Sequence, residues 1–398
     1  MRLTKTTLMV WLTLAAAAQA PTPPANPAAT PASVSQKQPV EFASYAGDDA
    51  CGSCHRERSK TYLLTAHHLT SQMPGEHTIA GKFSPDANIL KTSNPELFFR
   101  MDATGKGYFQ TAVEGIPPDA TVRAERFDFV IGSGRKGQTY LFWKADQLFQ
   151  LPVSYWIEVG HWGNSPGYQD GMANFNRRIA PRCLECHATY FRSLPPPENR
   201  YDRTAFVLGI SCEKCHGPGR EHVEHYRSNS KSALERDLVN PAKLSRDRQI
   251  DLCAWCHAGQ GQQLAPAFSY IPGERLDSYI DLPHPDPSAQ VDVHGSQVEL
   301  LKRSRCFQSS NMTCFTCHDV HTQQHDLAAF SERCLSCHKL ESCGVFPKLG
   351  RQIAANCIDC HMPNQPTALI VSEVNGRKIT PKVRNHWIKM YPQAETSH

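Results

Sequence analysis

The sequence lacks a hydrophobic run long enough to cross a lipid bilayer. Its most apolar stretch, Leu8–Ala18, has 11 residues, whereas a transmembrane helix needs about 20. Two basic residues precede this stretch, and the small-residue pattern Ala18-Gln19-Ala20 closes it. These features predict a secretory signal peptide over residues 1–20 that is cleaved near Ala20, with an uncleaved anchor as the alternative. We expect an exported, periplasmic protein without a transmembrane segment in the mature chain.

The sequence is rich instead in one arrangement of cysteine and histidine. Of its 16 cysteines, 14 fall in seven copies of Cys-x-x-Cys-His, which is the attachment motif of c-type haem. We number these copies from the first to the seventh motif in chain order. The predicted attachment cysteines are Cys51, Cys54, Cys183, Cys186, Cys212, Cys215, Cys253, Cys256, Cys314, Cys317, Cys334, Cys337, Cys357 and Cys360. The predicted proximal ligands of the iron are His55, His187, His216, His257, His318, His338 and His361.

The spacing of the motif fits this chemistry. On one helical turn, two thiols three residues apart lie on nearly the same side, so both can reach one edge of a porphyrin. The histidine that follows lies on the same face, where its imidazole can bind the iron. Paired Cys-x-x-Cys units also form zinc sites, but zinc does not need histidine directly after every second cysteine. The same objection disfavours redox-active dithiols and plain disulfides, so the sequence predicts seven covalently attached haem c groups.

The formal net charge of +4 has to be corrected for these cofactors. A ferric haem with two neutral ligands and two ionised propionates adds one negative charge, so seven of them reverse the sign. The small basic excess is therefore no reason to expect nucleic-acid binding. Lysine and arginine are expected to neutralise propionates instead.

The motifs divide the chain unevenly, and the long stretch between the first and second motifs has the pattern of β-structure. The predicted fold is a multihaem cytochrome c of mainly short α-helices and irregular loops organised around haems, with an antiparallel β-rich insertion between those two motifs. The predicted segments are the signal peptide at 1–20, a Pro- and Ala-rich linker at 21–40, a first haem segment at 41–80, the β-rich insertion at 81–182 and a six-haem region at 183–398.

Within the insertion, alternating aromatic and β-branched residues lie between turn signals. Leu97–Arg100 and Tyr108–Val113 flank a glycine-containing turn at Thr104–Gly107. A further strand is predicted at Gln138–Trp143, between GSGRKG and KADQ, and another through LFQLPVSYW. The glycine-rich loops are predicted to be hairpin turns rather than phosphate-binding loops, because the helix and lysine of such a loop are missing.

Twelve histidines remain for the second axial position of each iron once the proximal ligands are assigned. They are His67, His68, His77, His161, His222, His225, His284, His294, His321, His325, His386 and His398. Twelve is enough for two histidines on every haem, so low-potential bis-histidine haems are expected rather than His/Met haems. His321 lies three residues after His318 and therefore on the same side of that haem. If His321 is a ligand, we expect it to serve a neighbouring haem.

Five passages of the sequence resemble multihaem cytochromes of the cytochrome c-554 type, which are relatives of the hydroxylamine oxidoreductases. The passages are YAGDDACGSCH with TAHH after it, CEKCHGPGREHVEH, SRCFQSSNMTCFTCHDVH, CLSCH with a lone Cys after it, and CIDCHMP with a late NHWI. The resemblance extends over roughly residues 44 to 390. It implies distal ligands at His67 or His68, His222, His321 and His386, with His294 as the next choice and His225 and His284 as further candidates. His77, His325 and His398 are expected to be surface residues.

Two cysteines, Cys306 and Cys343, stand outside the motifs. In an oxidising compartment an even remainder favours a disulfide bond between them. Two buried free thiols are the alternative.

Three functions are compatible with the sequence. The first is an electron carrier between membrane or periplasmic redox proteins, which haem density alone supports. The second is an oxidoreductase with one five-coordinate haem that acts on a small nitrogen or sulfur compound, for which Tyr155, Tyr168, His161 and Arg178 are the polar groups to test. The third is a haem-containing docking subunit of a larger redox complex. The electron carrier is preferred, because no motif has lysine in place of histidine as in cytochrome c nitrite reductases.

Overall fold

A computed structural model describes residues 37–116, 118–228, 237–282, 291, 297–367, 371–374 and 377–391 of the chain. The predicted signal peptide and most of the predicted linker lie outside the described residues. So do three of the candidate ligands, His284, His294 and His398. None of the helices in the described ranges is long and apolar enough to span a bilayer.

Ten antiparallel strands lie between the first and second motifs. They are β1 (Ser71–Gln72), β2 (Ile89–Lys91), β3 (Leu97–Thr104), β4 (Gly107–Glu114), β5 (Thr121–Arg126), β6 (Phe129–Ile131), β7 (Gly137–Lys144), β8 (Gln147–Gln150), β9 (Val153–Trp156) and β10 (His161–Asn164). The larger sheet has the order β1-β6-β7-β9-β10, with β8 also paired to β7, and the smaller sheet has the order β2-β3-β4-β5. We call the two sheets together the β sandwich. It begins at β1, before the predicted start of the insertion at residue 81.

The predicted hairpin around residue 105 is confirmed. Strands β3 and β4 pair along their whole length, and the Thr104↔Gly107 pair closes the turn. The run LFQLPVSYW is divided into β8 and β9 instead of forming one strand. The division falls at Pro152, because proline has no backbone N–H to donate to a neighbouring strand.

The α-helices of the described residues are short, from four to 12 residues. They are α1 (Asp48–Gly52), α2 (Arg56–Tyr62), α3 (Pro181–His187), α4 (Cys212–His216), α5 (Arg220–Arg227), α6 (Arg246–His257), α7 (Gln297–Lys302), α8 (Arg305–Gln308), α9 (Leu327–Leu335), α10 (Phe346–Leu349) and α11 (Cys357–His361). Single 3₁₀ turns occur at Phe42–Ser44, His68–Thr70, Pro241–Lys243, Leu276–Ser278, Cys314–Thr316, Leu340–Ser342 and Gly350–Ala355.

In the part of the chain that the structure describes, four two-stranded antiparallel sheets lie outside the β sandwich. They pair β11 (Ala188–Ser193) with β12 (Tyr201–Leu208), β13 (Gln262–Gln263) with β14 (Ile280–Asp281), β15 (Asn364–Pro366) with β18 (Lys382–Arg384), and β16 (Ser372–Val374) with β17 (Arg377–Ile379). The long β11–β12 hairpin between the second and third motifs was not predicted. Strand β16 packs on β10, where Ser372 donates a hydrogen bond of 2.5 Å to the Asn164 carbonyl.

An aromatic core fills the space between the two sheets. The smaller sheet contributes Phe99 and Met101, and the larger sheet contributes Tyr140 and Trp162. Phe127 stacks on Tyr140 with ring centroids 4.2 Å apart. Because alternate residues of a strand face opposite sides, the neighbouring Leu141 faces away from this core.

The opposite face of the larger sheet joins the sandwich to the haem-motif region. Phe129 and Leu141 pack there against Leu184 of α3 and against Phe191 and Tyr201 of the β11–β12 hairpin. Both faces of this sheet are therefore covered, which explains why all three residues of β6 are buried instead of alternating. The sandwich is packed directly against the helix that carries the second motif.

Replacing Phe99 with alanine should destabilise the protein by about 3–5 kcal/mol, because the phenyl ring is 1% exposed and its loss leaves a cavity. The measurement is chemical unfolding followed by tryptophan fluorescence. Val122→Ala on β5 is the matched control, since this side chain is 64% exposed and should change stability by less than about 0.5 kcal/mol. Equal effects of the two substitutions would contradict a core between the sheets.

Candidate functional site

Each motif forms a helical turn, as the spacing predicts. The His55 N–H donates to the Cys51 carbonyl at 2.9 Å, and the fifth and sixth motifs close in the same way at 2.9 Å. The second, third, fourth and seventh motifs lie inside or at the end of α3, α4, α6 and α11. The two thiols and the imidazole of each motif are thereby carried on one turn of backbone.

All seven motifs border one continuous cavity of about 4020 Å³. Every attachment cysteine and proximal histidine lines it except Cys54. A site for one small molecule has about 300–1,000 Å³, so this cavity has room for several large cofactors. Its lining of thiols and imidazoles fits covalently attached haem.

Three pairs of histidine rings face each other across this cavity. The ring centroids are 6.1 Å apart for His67 and His257, 6.3 Å for His216 and His321, and 6.3 Å for His318 and His386. Two imidazoles on opposite sides of one metal ion, each bonded at about 2 Å, have ring centres about 6 Å apart. Each pair therefore has the spacing of two axial ligands of one iron.

The orientation of several rings is set by hydrogen bonds at Nδ1. His216 donates to the Val239 carbonyl at 2.8 Å, His361 to that of Lys389 at 3.0 Å, and His386 to that of Arg384 at 3.1 Å. A proton held at Nδ1 leaves the lone pair at Nε2 for a metal. These partners fix the tautomer that an axial ligand needs.

Burial keeps the central imidazoles neutral. Together with a smaller effect of the nearby His67, it lowers the pKa of His257 to about 4. Burial also lowers the pKa of His386 to about 4. A neutral imidazole is the form that binds iron, so these rings are ready to act as ligands at neutral pH.

The adjacent His67 and His68 have different surroundings. His67 lines the cavity, whereas His68 does not and instead pairs with Asp48, with 3.2 Å between Nδ1 and Oδ2. Asp48 also accepts a hydrogen bond from the Cys212 N–H at 2.9 Å. Burial raises the pKa of Asp48, but the nearby His68 imidazole and the hydrogen bond from the Cys212 N–H outweigh it and leave this pKa below its ordinary value.

Two structural contacts hold His67 in place. Its carbonyl accepts from the Ile210 N–H at 3.0 Å, and the strand β1 that follows it pairs with β6 of the sandwich. Gly209 lies against His68 so closely that a Cβ atom would be 2.1 Å from the His68 carbonyl oxygen, and its φ is +64°. Only glycine fits there.

Of the other predicted ligands that the structure describes, His222 lines the cavity and His225 does not. His222 pairs with Asp237, with 2.8 Å between Nδ1 and Oδ1, whereas the ring of His225 contacts Tyr226. His325 is exposed, as expected, and also lines the cavity; its position four residues after His321 is the sequence signal of that second feature.

The polar groups suggested for an open iron lie in the β sandwich or beside it. His161 is exposed on β10. The hydroxyls of Tyr155 and Tyr168 donate to the carbonyls of Gly160 and Gln150 at 2.8 Å each. Arg178 forms a backbone bridge with Phe149. None of these four side chains lines the described cavity.

Cys306 and Cys343 are not bonded to each other in this structure, in which all 16 cysteines are free thiols; the bridge between them stays a prediction. Burial raises the pKa of the Cys317 and Cys334 thiols, and Cys306 is close enough to both to raise it further. Cys343 has the same effect on the pKa of the Cys360 thiol. The two cysteines thus lie beside different motifs.

Attachment cysteines of different motifs lie close enough together to shift the pKa values of one another's thiols. This proximity places the first motif beside the third through Cys51 and Cys212. It also places the second motif beside the fourth through Cys186 and Cys256, and the fourth beside the fifth through Cys253 and Cys314. The corresponding elements pack together in the same pairs: α1 with α4, α3 with α6, and α6 with the 3₁₀ turn at Cys314–Thr316. Helices α9 and α11, which carry parts of the sixth and seventh motifs, are also packed together.

One buried carboxylate joins the first motif to the third. Glu213, 3% exposed, accepts from the N–H groups of Ala46 at 2.8 Å, Gly47 at 2.9 Å and Gly219 at 2.7 Å. Ala46 and Gly47 immediately precede α1. A carboxylate with several backbone donors is a strong acceptor, so Glu213 fixes α1 against α4.

Comparison with known proteins agrees with this geometry. Residues 164–217, which contain the second and third motifs, match the family described as cytochrome c554 and c-prime. No curated protein sequence matches the chain. The outer cell wall cytochrome OcwA has a similar fold, with a TM-score of 0.50 and 18% identity over 87% of this chain and 80% of that one.

A second solved structure is an undecaheme cytochrome from the S-layer of Carboxydothermus ferrireducens. It matches with a TM-score of 0.41 and 16% identity over 88% of this chain. The chain spans about half of that protein, 53% of its length. Together with the seven motifs, the family match to residues 164–217 supports a multihaem cytochrome c, as the sequence predicts.

Replacing Glu213 with alanine should lower the free energy of unfolding by at least about 3 kcal/mol, because three backbone donors lose a charged acceptor. Chemical unfolding of the holoprotein measures this change. Glu221→Ala, an exposed position on α5, should be nearly neutral. A neutral Glu213→Ala variant would show that α1 is held by other contacts.

Proposed function

We propose that this protein is an exported heptahaem c-type cytochrome that carries electrons between redox partner proteins. Each bound haem supplies an iron that accepts and releases one electron. The chain supplies the thiols that attach the haems, the imidazoles that bind them and the packing that holds them close together. The facing pairs of imidazoles are the observation that carries this proposal.

The ring spacings support three axial assignments. His67 is the distal ligand of the fourth-motif haem, His321 of the third and His386 of the fifth. His321 and His386 were both ligand candidates from the resemblance, and His321 serves a neighbour of its own motif. His222 remains a proposed ligand because it lines the cavity with Nδ1 committed to Asp237.

The thiol contacts support a continuous order of haems. Two attachment sulfurs in contact hold the edges of their two porphyrins side by side, which is the proximity that electron transfer needs. The contacts give an order from the first motif through the third, fourth, fifth and sixth to the seventh. Cys215 of the third motif lies close enough to Cys253 of the fourth to contribute to the raised pKa of its thiol. Cys334 of the sixth motif lies near both Cys317 and Cys357. The second motif joins this series at the fourth.

We propose that the protein works outside the cytoplasm after export, in the periplasm or at the cell surface. The predicted signal peptide supports export. The structurally similar OcwA is described as an outer cell wall cytochrome, which agrees with a place outside the inner membrane. The partners are redox proteins, and the chain acts alone, as an oligomer or as a subunit of a redox complex.

The mature holoprotein should carry seven haems. Its intact mass should exceed the polypeptide mass by seven haem c groups, and the pyridine haemochrome absorbance should give the same ratio. Removing both attachment cysteines of one motif should reduce the count by one. A count of zero, or a mass explained by zinc, would refute the proposed function.

Replacing His67 with alanine should open one iron. The variant should gain a high-spin electron paramagnetic resonance (EPR) signal and bind carbon monoxide when reduced, and added imidazole should reverse both changes. His68→Ala is the matched control and should leave the haem spectra unchanged. Opposite results for the two variants would make His68 the ligand instead.

The same spectra of the unaltered protein separate an electron carrier from an enzyme. Only low-spin signals and no carbon monoxide adduct are expected if every iron has two ligands. A high-spin signal that binds carbon monoxide would favour the alternative of an oxidoreductase with a five-coordinate haem.

A further inference from the structure

The loop between β6 and β7 extends from the β sandwich to the haem cavity. Ser133, Arg135 and Lys136 of this loop line the cavity, together with the flanking Gly132 and Gly137. The corresponding turn of the β3–β4 hairpin, which carries Lys106, does not line it. One turn of the sandwich is therefore part of the haem site and another is not.

The loop is fixed at both ends by backbone hydrogen bonds. The Gly132 N–H donates to the Thr70 carbonyl at 2.7 Å, and the Ile157 N–H donates to the Lys136 carbonyl at 3.1 Å. The buried side chain of Gln138 adds a hydrogen bond to the Thr78 carbonyl at 2.9 Å. Charges on a loop held in this way are positioned before any ligand binds.

The shape of the loop depends on glycine. Gly132 has a φ of +110°, and a Cβ atom there would lie 2.5 Å from the Gly137 carbonyl oxygen. Glycine alone allows the two ends of the loop to approach so closely. The chain then projects the two basic residues at the tip of the turn.

The loop lies between the second and fourth motifs. Thr70, which accepts from Gly132, also hydrogen-bonds through Oγ1 with Nδ1 of His187 at 3.2 Å. On the other side, Arg135 is close enough to His67 to act on its imidazole. His67 in turn faces His257.

The two cations of the loop, Arg135 and Lys136, have no ion-pair partner among the described residues. Both side chains are exposed towards the cavity. The neighbouring Arg182, by contrast, is committed to Glu185 at 3.6 Å and donates to the Trp255 carbonyl at 2.6 Å.

We propose that Arg135 and Lys136 form an anion site through which the β sandwich binds haem propionates between the second and fourth motifs. The ligand chemistry is a carboxylate or similar oxyanion, which arginine and lysine bind through charge-assisted hydrogen bonds. A reduced haem carries one more negative charge than an oxidised one, so nearby cations stabilise the reduced form. The loop thus raises the reduction potential of the haem it contacts. This inference rests on the proposed function.

The test is a redox titration of the holoprotein with both cations replaced, Arg135→Gln with Lys136→Gln. We expect the reduction equilibrium constant of one or two haems to fall about tenfold, which is a shift of about 59 mV to lower potential for one electron. The remaining haems should keep their potentials. Lys106→Gln, at the β3–β4 turn, is the matched control and should change nothing.

The haem assignment can be read from EPR followed during the titration. The rings of His67 and His257 are inclined by 76°, whereas the other two pairs are inclined by 28° and 31°. Nearly perpendicular ligand planes leave two iron d orbitals almost equal in energy, which gives a signal with one unusually large g value. The potential of that signal should shift in the double variant.

Further measurements distinguish a haem propionate from a free oxyanion as the bound group. They also separate failure of this inference from failure of the proposed function. A charge-conserving variant, Arg135→Lys with Lys136→Arg, should retain the original potentials. Inorganic phosphate should not shift the potentials of the unaltered protein. A phosphate-dependent shift that the Gln variant loses would assign the site to a free oxyanion and overturn the propionate assignment. Unchanged potentials with seven haems attached would refute the inference alone, whereas missing haems would refute the proposed function.

Discussion

The structure depends on pairs of imidazoles that face each other across a gap about one metal ion wide. His67 and His257, His216 and His321, and His318 and His386 come from segments far apart in the chain, yet their ring centres agree in spacing to 0.2 Å. Nothing in the local backbone demands this agreement. It matches the requirement of an iron with two axial nitrogen ligands, which the proposed function places at several points of the fold at once.

This requirement explains why so little regular structure is needed around the cavity. The helices that carry the motifs are mostly one or two turns long, too short to be stable by themselves. They are held by contacts between motifs, by Glu213 at the N-terminal end of α1, and by carbonyl groups that accept from histidine Nδ1. The proposed cofactors complete the interior in place of a conventional core of side chains. The β sandwich has its own aromatic core and packs through β6 and β7 against the second motif.

The features that could be predicted from the sequence were those fixed by local spacing. Cysteines and histidine in one helical turn, the β3–β4 hairpin and the departure of His321 from its own haem all follow from the geometry of a short segment. The choice between His67 and His68 could not be predicted, because it depends on Asp48 and Gly209, which are distant in sequence.

The crossing of ligands between segments has a consequence for how the protein is assembled. His321 faces His216, although it follows the fifth motif, and His67 faces His257, although it follows the first. In the proposed assignment, and with export from the N-terminus, the third haem waits for a ligand that arrives much later, while the ligand of the fourth is present before its haem. A haem region ligated in this way cannot be built as a row of independent modules. A chain cut between the third and fourth motifs would separate His321 from the third haem and His67 from the fourth.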